Sequence, residues 1–124
     1  MRQCSVFVLP SFYEGIPLVL VEAAACGCRL VSTRLPGVEK LLAPYLKKNL
    51  QLINLPGIYD MDKPIPKDLP TFVENFSDAI KISLQEAASD VVKKDINPSL
   101  EKFTWETIFK KVKKIWLELI ESSK

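Results

Sequence analysis

Three short apolar runs separated by two helix signals constrain this chain more than any other feature of it. Residues 4–10 read Cys-Ser-Val-Phe-Val-Leu-Pro, an apolar run stopped by Pro10-Ser11. Its length and its Val and Phe content suit a strand buried on both faces. After a loop over 11–15 comes Pro17 to Cys26, closed by Gly27. Proline at the first helical position and glycine just past the last predict a helix there. Residues 28–33 predict a second strand, Pro36-Gly37 a break before a short helix at 38–46, and 50–55 a third strand. Strand, helix, strand, helix, strand is the order of a parallel α/β sheet. The expected fold class is therefore α/β: a partial Rossmann-like parallel sheet of about three strands with flanking helices. Right-handed crossovers put the loops after the strands on one edge of such a sheet, the edge where open α/β sheets take ligands.

The second half of the chain changes character. Four prolines at 56, 64, 66 and 70 exclude regular structure from 56–70 and predict a long surface loop. Beyond it, Phe72, Val73, Phe76, Ile80, Leu84, Ala87 and Val91 recur at helical spacing and predict one buried stripe. Asn97-Pro98 can start a short helix. Thr104 is placed to cap the last helix, with Phe103 and Ile108 as a hydrophobic staple. Ile108, Val112, Ile115, Trp116 and Leu119 then line one face, with Lys110, Lys111, Lys113 and Lys114 on the others. The lysines read as a solvated face diluted by Glu106, Glu118 and Glu121, and Trp105 and Trp116 as packing residues.

Composition narrows the chemistry. The 124 residues contain no histidine, which removes His triads, His–Zn sites and imidazole acid–base catalysis. Cys4, Cys26 and Cys28 are too few for a four-ligand zinc site and make a poor disulfide framework, so a reducing compartment is expected. Cys26 and Cys28 read as small buried hydrophobes. The net charge of +2 is spread evenly, with six basic and five acidic groups in 1–62 and eleven and ten in 63–124. That balance gives no drive towards nucleic acid. No run approaches the roughly 20 apolar residues of a membrane span, and no cleavage site follows the first strand, so a cytoplasmic location is expected.

The chemistry concentrates between Pro10 and Gly27. Glu22 is the one carboxylate on an otherwise apolar helix; Leu18, Val19, Ala25 and Cys26 stand three and four positions away. A helix apolar all round is expected to be buried, and an unpaired buried carboxylate costs on the order of several kcal/mol. Two readings of Glu22 stand level: an internal partner such as Arg29, Arg34 or backbone amides, and a ligand contact. Glu14 lies in the loop at the carboxyl edge of the sheet beside Gly15, whose missing side chain lets a ligand approach the backbone. The amides of Gly15, Ile16 and Leu18 and the helix N-terminus offer an anion-binding nest, while Pro17 has no amide to give. Two carboxylates beside a phosphate site point to a ligand that carries both hydroxyls and phosphates, which describes a sugar nucleotide.

The run Pro-Ser-x-x-Glu-Gly-x-Pro-Leu-x-x-x-Glu-Ala-x-Ala-Cys-Gly, with Glu14 and Glu22 in E-x7-E spacing, closely resembles the donor-binding motif of the retaining, group 1 glycosyltransferases of GT-B fold. The likeness continues at Val31-Ser32-Thr33, Pro36-Gly37 and Phe103-Thr104-Trp105-Glu106, while 44–102 matches in pattern more than in identity. The resemblance implies that Glu14 contacts hydroxyls of the transferred sugar and is the catalytic residue. It implies that Glu22 holds the ribose hydroxyls and that the Gly15–Leu18 amides hold the diphosphate in place of a metal. No metal and no cofactor are expected, and transfer retains anomeric configuration, with the leaving phosphate as base. The partners implied are a nucleotide-diphosphate sugar donor and an acceptor of unknown identity.

Arg29 stands where the family often has Pro, Pro36 where it often has Gly, and Glu39 one place off the usual acidic residue, so Glu39 is assigned no role. The chain resembles only the C-terminal half of the donor domain. Residues 1–124 are accordingly expected to be a piece of a longer enzyme, inactive alone, whose acceptor domain is absent and whose parent is cytoplasmic or peripheral to the membrane. The rival expectation is a non-catalytic half-domain that self-associates through a truncated sheet edge or an uncovered helix face. An unrelated nucleotide-binding domain would need a Gly-x-Gly-x-x-Gly or Walker loop, and neither is present.

Overall fold

In the computed structural model, which describes residues 3–89 and 98–124, the first three strands pair in parallel in the order β1-β2-β3. They are β1 (Val6–Leu9), β2 (Arg29–Thr33) and β3 (Leu50–Ile53). Val8 lies opposite Val31, and Ser32 opposite Leu52, so the strands are in step and end together on one edge. Helix α1 (Leu18–Ala25) connects β1 to β2, and a helical stretch over 36–46 connects β2 to β3. The expected α/β architecture, with a helical C-terminus, is what the chain adopts.

Strand alternation sorts the core into two layers. Phe7, Leu9, Leu30, Leu50 and Leu52 meet α1 and 36–46, whose Leu20, Ala23, Val38 and Leu42 are fully or almost fully buried. Val6, Val8, Val31 and Ile53 point the other way, onto α3 (Leu69–Ser89). The sheet is thus covered on both faces, and β2 runs through the centre.

Helix α1 ends as its glycine predicts. Gly27 takes a φ of 79°, its amide donates to the Ala24 carbonyl, and the Cys28 amide donates to Ala23. That pair of bonds is a Schellman closure, which satisfies the last carbonyls and turns the chain straight into β2. At the other end Pro17 is the N-cap rather than the first helical residue, and no side chain caps it. Pro36 and Gly37 do not break the chain; they are already helical, ahead of a π turn at Val38–Leu42 and α2 (Ala43–Leu46). Proline fits there because its missing amide falls in the first turn.

Four further expectations are overturned. The segment 56–70 is not irregular: β4 (Ile58–Asp60) and β5 (Lys63–Pro64) form an antiparallel hairpin, followed by a 3-10 turn at Pro66–Asp68. The prolines are compatible with it because Pro64 ends a two-stranded edge, while Pro66 and Pro70 sit in first turns, where no amide is needed. The buried stripe of α3 is Phe72, Phe76, Ala79 and Ser83; Val73 and Leu84 face solvent, Ile80 and Ala87 are half-buried, and Val91 lies outside the described residues. Of the cysteines, Cys28 is buried as expected, but Cys26 is only partly so.

The fourth concerns α4 (Trp105–Ser122), which follows a 3-10 turn at Pro98–Phe103. Asn97 lies outside the described residues. Thr104 caps α4 as expected, its hydroxyl accepting from the Thr107 amide. Phe103 of the expected staple is partly buried against the core and packs edge-on against Tyr45, with ring centroids 5.5 Å apart. No residue of α4 is buried, and Trp105 and Trp116 are not packing residues: they are 69% and 65% exposed.

Candidate functional site

The carboxyl edge of the sheet collects three chain segments. After β1 the loop runs from Pro10 to Pro17; after β2 it runs from Arg34 into 36–46; after β3 comes Asn54. The first two loops are in direct contact. The buried Thr33 hydroxyl donates to the Ser11 carbonyl, and Gly37 lies against the backbone of Gly15. Thr33 thus satisfies its own polar group while fixing the height of the loop that carries Glu14.

Glycine is needed at Gly37 rather than at Gly15. A Cβ on Gly37 would overlap the Gly15 carbonyl oxygen and stand 3.1 Å from its carbon, whereas a Cβ on Gly15 would meet nothing within 4 Å. The space beside Gly15 is therefore open, as a ligand approach requires, but the tight packing that sets it lies on the far side, against 36–46.

Glu14 is exposed, and Ser11 Oγ donates to its Oε1 at 3.0 Å. Glu22 is exposed as well, which corrects the expectation of a buried helix. Only Leu20, Val21 and Ala23 of α1 are buried, while Leu18 and Ala25 share the open face with Glu22. Three apolar residues were enough to fill the sheet contact, and the remaining side of the helix was left to solvent. The internal-partner reading fails with it. Arg29 pairs with Glu86 of α3 at 2.7 Å, at the opposite end of β2. Arg34 pairs with Glu39 at 2.6 Å and donates from Nε to Asn54 at 2.8 Å. Glu22 has no ion-pair partner among the described residues.

The amides of Ile16 and Leu18 border a helix N-terminus with no side-chain cap and no acidic residue in its first turn. Ile16 and Leu18 are half exposed, at 50% and 51%, so the turn faces solvent. A uncapped N-terminus with its dipole unanswered favours an anion there. Glu14, Gly15, Ile16, Leu18 and Glu22 are thus all exposed, the first three in the loop that leads into α1 and the last two on its open face.

Arg34, Glu39 and Asn54 are the residues that sequence reasoning left out of the site. Arg34 and Asn54 are each the first residue beyond a parallel strand, the position where such sheets place ligand contacts. That rule was the available signal. Glu39, given no role before, holds the Arg34 guanidinium. Next to Asn54 opens a cleft of about 300 Å³ lined by Leu55, Asp68, Thr71, Phe72 and Asn75. Its wall reaches the first loop through the rings of Phe72 and Phe12, 5.4 Å apart.

Comparison with known proteins bears on the same segment. The family of glycosyl transferases group 1 matches residues 1–53, from β1 to the end of β3. A stretch of 27 residues is 67% identical to the Bacillus subtilis (strain 168) protein named "Putative glycosyltransferase EpsF". That stretch covers 22% of this chain and 7% of the relative, so the chain matches a small part of a longer protein. No solved structure matches the chain. Except for Asn54, the segments that build the carboxyl edge fall within the matched residues, and together the matches support a group 1 glycosyltransferase.

Proposed function

We propose that residues 1–124 are the C-terminal half of the nucleotide-sugar-binding domain of a retaining glycosyltransferase of GT-B fold, cytoplasmic and inactive without the rest of the enzyme. The observation that supports the reading is that Glu14, in the loop before α1, and Glu22, in its second turn, are both exposed to solvent next to an uncapped helix N-terminus. A donor laid along this flank meets groups in the order it needs. Glu22 accepts from the ribose hydroxyls, the Gly15, Ile16 and Leu18 amides donate to the diphosphate, and Glu14 accepts from hydroxyls of the hexosyl group. The acceptor hydroxyl attacks the anomeric carbon from the face the diphosphate leaves, and its proton passes to the departing phosphate oxygen. The chain's share of the work is to stabilise charge on that leaving group with fixed amide dipoles. Neither metal nor cofactor enters this scheme.

Titration with UDP, GDP, ADP and CMP, followed amide by amide in NMR spectra, tests it. One diphosphate is expected to shift Gly15–Leu18, and Glu22→Ala to weaken it about tenfold, the worth of a lost charged hydrogen bond. Shifts that ignore the substitution would sink the assignment of Glu22. The rival reading, a non-catalytic half-domain pairing through the open edges of β1 and β3, expects dimers in a sample that binds no nucleotide.

A further inference from the structure

The loop that carries Glu14 is held at its start, its middle and its end. At the start the hydroxyl of Thr33, a residue with no exposed surface, donates to the Ser11 carbonyl. In the middle the Phe12 ring packs 5.4 Å from Phe72, on the α3 side of the sheet. At the end the Gly15 backbone lies against Gly37. A segment this short, tied in this way, has little backbone freedom left. Tyr13 and Glu14 stand between the ties and are exposed.

The freedom that remains is that of the Glu14 side chain. An exposed glutamate with no partner spreads over many rotamers, and a ligand then has to order it. Glu14 has no ion-pair partner among the described residues. Its Oε1 accepts a hydrogen bond from Ser11 Oγ, at 3.0 Å. Ser11 is half-buried, and its backbone is the part of the loop that Thr33 pins. Its hydroxyl is therefore a donor at a fixed place, while Oε2 of Glu14 keeps its lone pairs for a ligand.

We propose that Ser11 is a positioning residue: its hydroxyl, set in place through Thr33, holds the Glu14 carboxylate ready for the hydroxyls of the transferred sugar. The role rests on the proposed donor site, in which Glu14 meets the sugar and Ser11 itself touches neither sugar nor phosphate. A bond that only shaped the loop would act on diphosphate and sugar alike, because the Gly15, Ile16 and Leu18 amides continue from the same loop. A bond that positions Glu14 acts on the sugar alone, and only while Glu14 is present.

A double-mutant cycle on the intact chain, read by NMR titration, separates the two. UDP, GDP and ADP are compared with UDP-glucose, UDP-galactose, GDP-mannose and ADP-glucose. Ser11→Ala is expected to weaken the conjugate that Glu14→Ala weakens, by about fivefold, as for one long side chain that binding now has to order. It should leave the bare diphosphate unchanged and add nothing in the Glu14→Ala chain. With no ligand present, the Hα–Hβ couplings of Glu14 should report one main rotamer in the unsubstituted chain and an average in Ser11→Ala. Unchanged amide shifts in β2 check that the variants fold. Equal losses for diphosphate and conjugate would overturn the proposal and leave Ser11 a part of the loop's shape. So would equal losses with and without Glu14, or Glu14 couplings that Ser11→Ala leaves as they were. Binding that ignores Glu14→Ala, or no binding of any conjugate, would instead refute the donor site, and the role of Ser11 with it.

Discussion

Gly37 shows how one backbone contact can decide the geometry of a candidate site. Its φ of −66° is ordinary helix, so alanine would gain up to about 1 kcal/mol from helix propensity if nothing opposed it. Packing opposes it, because the new Cβ would overlap the Gly15 carbonyl oxygen, and backbone cannot swing aside as a side chain tip does. Overpacking of this kind costs about 1–3 kcal/mol, so the clash should win. Gly37→Ala is therefore expected to lower the urea midpoint, and Gly15→Ala, with open space around its Cβ, to leave it within error. If Gly37→Ala stabilised the chain, the first two loops could not be held together as described. The same scale explains Glu22. Its neighbours in sequence are apolar and suggested burial, yet its exposure is set by how many α1 residues the sheet can cover, a number that periodicity along one short helix does not carry.

At the scale of elements, α3 offers the sharpest contrast. Phe76 is 6% exposed, between Phe72 and the underside of the sheet, with the two rings 5.4 Å apart; Leu84, two turns on, is 50% exposed. Phe76→Ala should cost about 3 kcal/mol or more, from lost transfer energy and the cavity left behind. Leu84→Ala should stay within about 0.5 kcal/mol. Equal midpoints in thermal melts would mean that the helix packs on the face the spacing suggested rather than the one described. The existence of α3 was legible in the sequence, but its rotation was not: Val73 and Leu84 fit the periodicity as well as Ala79 and Ser83 do. Only the sheet, through Val31 and Ile53, chooses between them. The parallel sheet and α1 were legible because their signals are local: short Val-rich runs, and a proline and a glycine at the ends of a helix. The hairpin at 58–64 was not, because a proline count says nothing about whether each proline's missing amide was wanted. At the candidate site, Glu14 and Glu22 were marked by their place after β1 and on α1 and by the likeness of their segment to a known motif, and both are exposed. Arg34 and Asn54 could not be read, since they come together only when β2 and β3 lie side by side.

For the whole molecule the distribution of burial predicts two bodies of unequal stability. β2 is paired on both sides, and Leu30, Val31, Ser32 and Thr33 have no exposed surface. Their amides can exchange with solvent only when the sheet comes apart. α4 has no buried residue and is joined to the core mainly through the Pro98–Phe103 turn, where Leu100 is buried and Phe103 meets Tyr45. An exposed helix of 18 residues is marginal in water even with a good N-cap, because packing rather than propensity supplies most helix stability. Hydrogen exchange should therefore run at least about a thousandfold faster in α4 than in β2, with 36–46 between them. Protection in α4 equal to that of β2 would mean that its apolar side is already covered in solution. The molecule would then be a dimer through this helix.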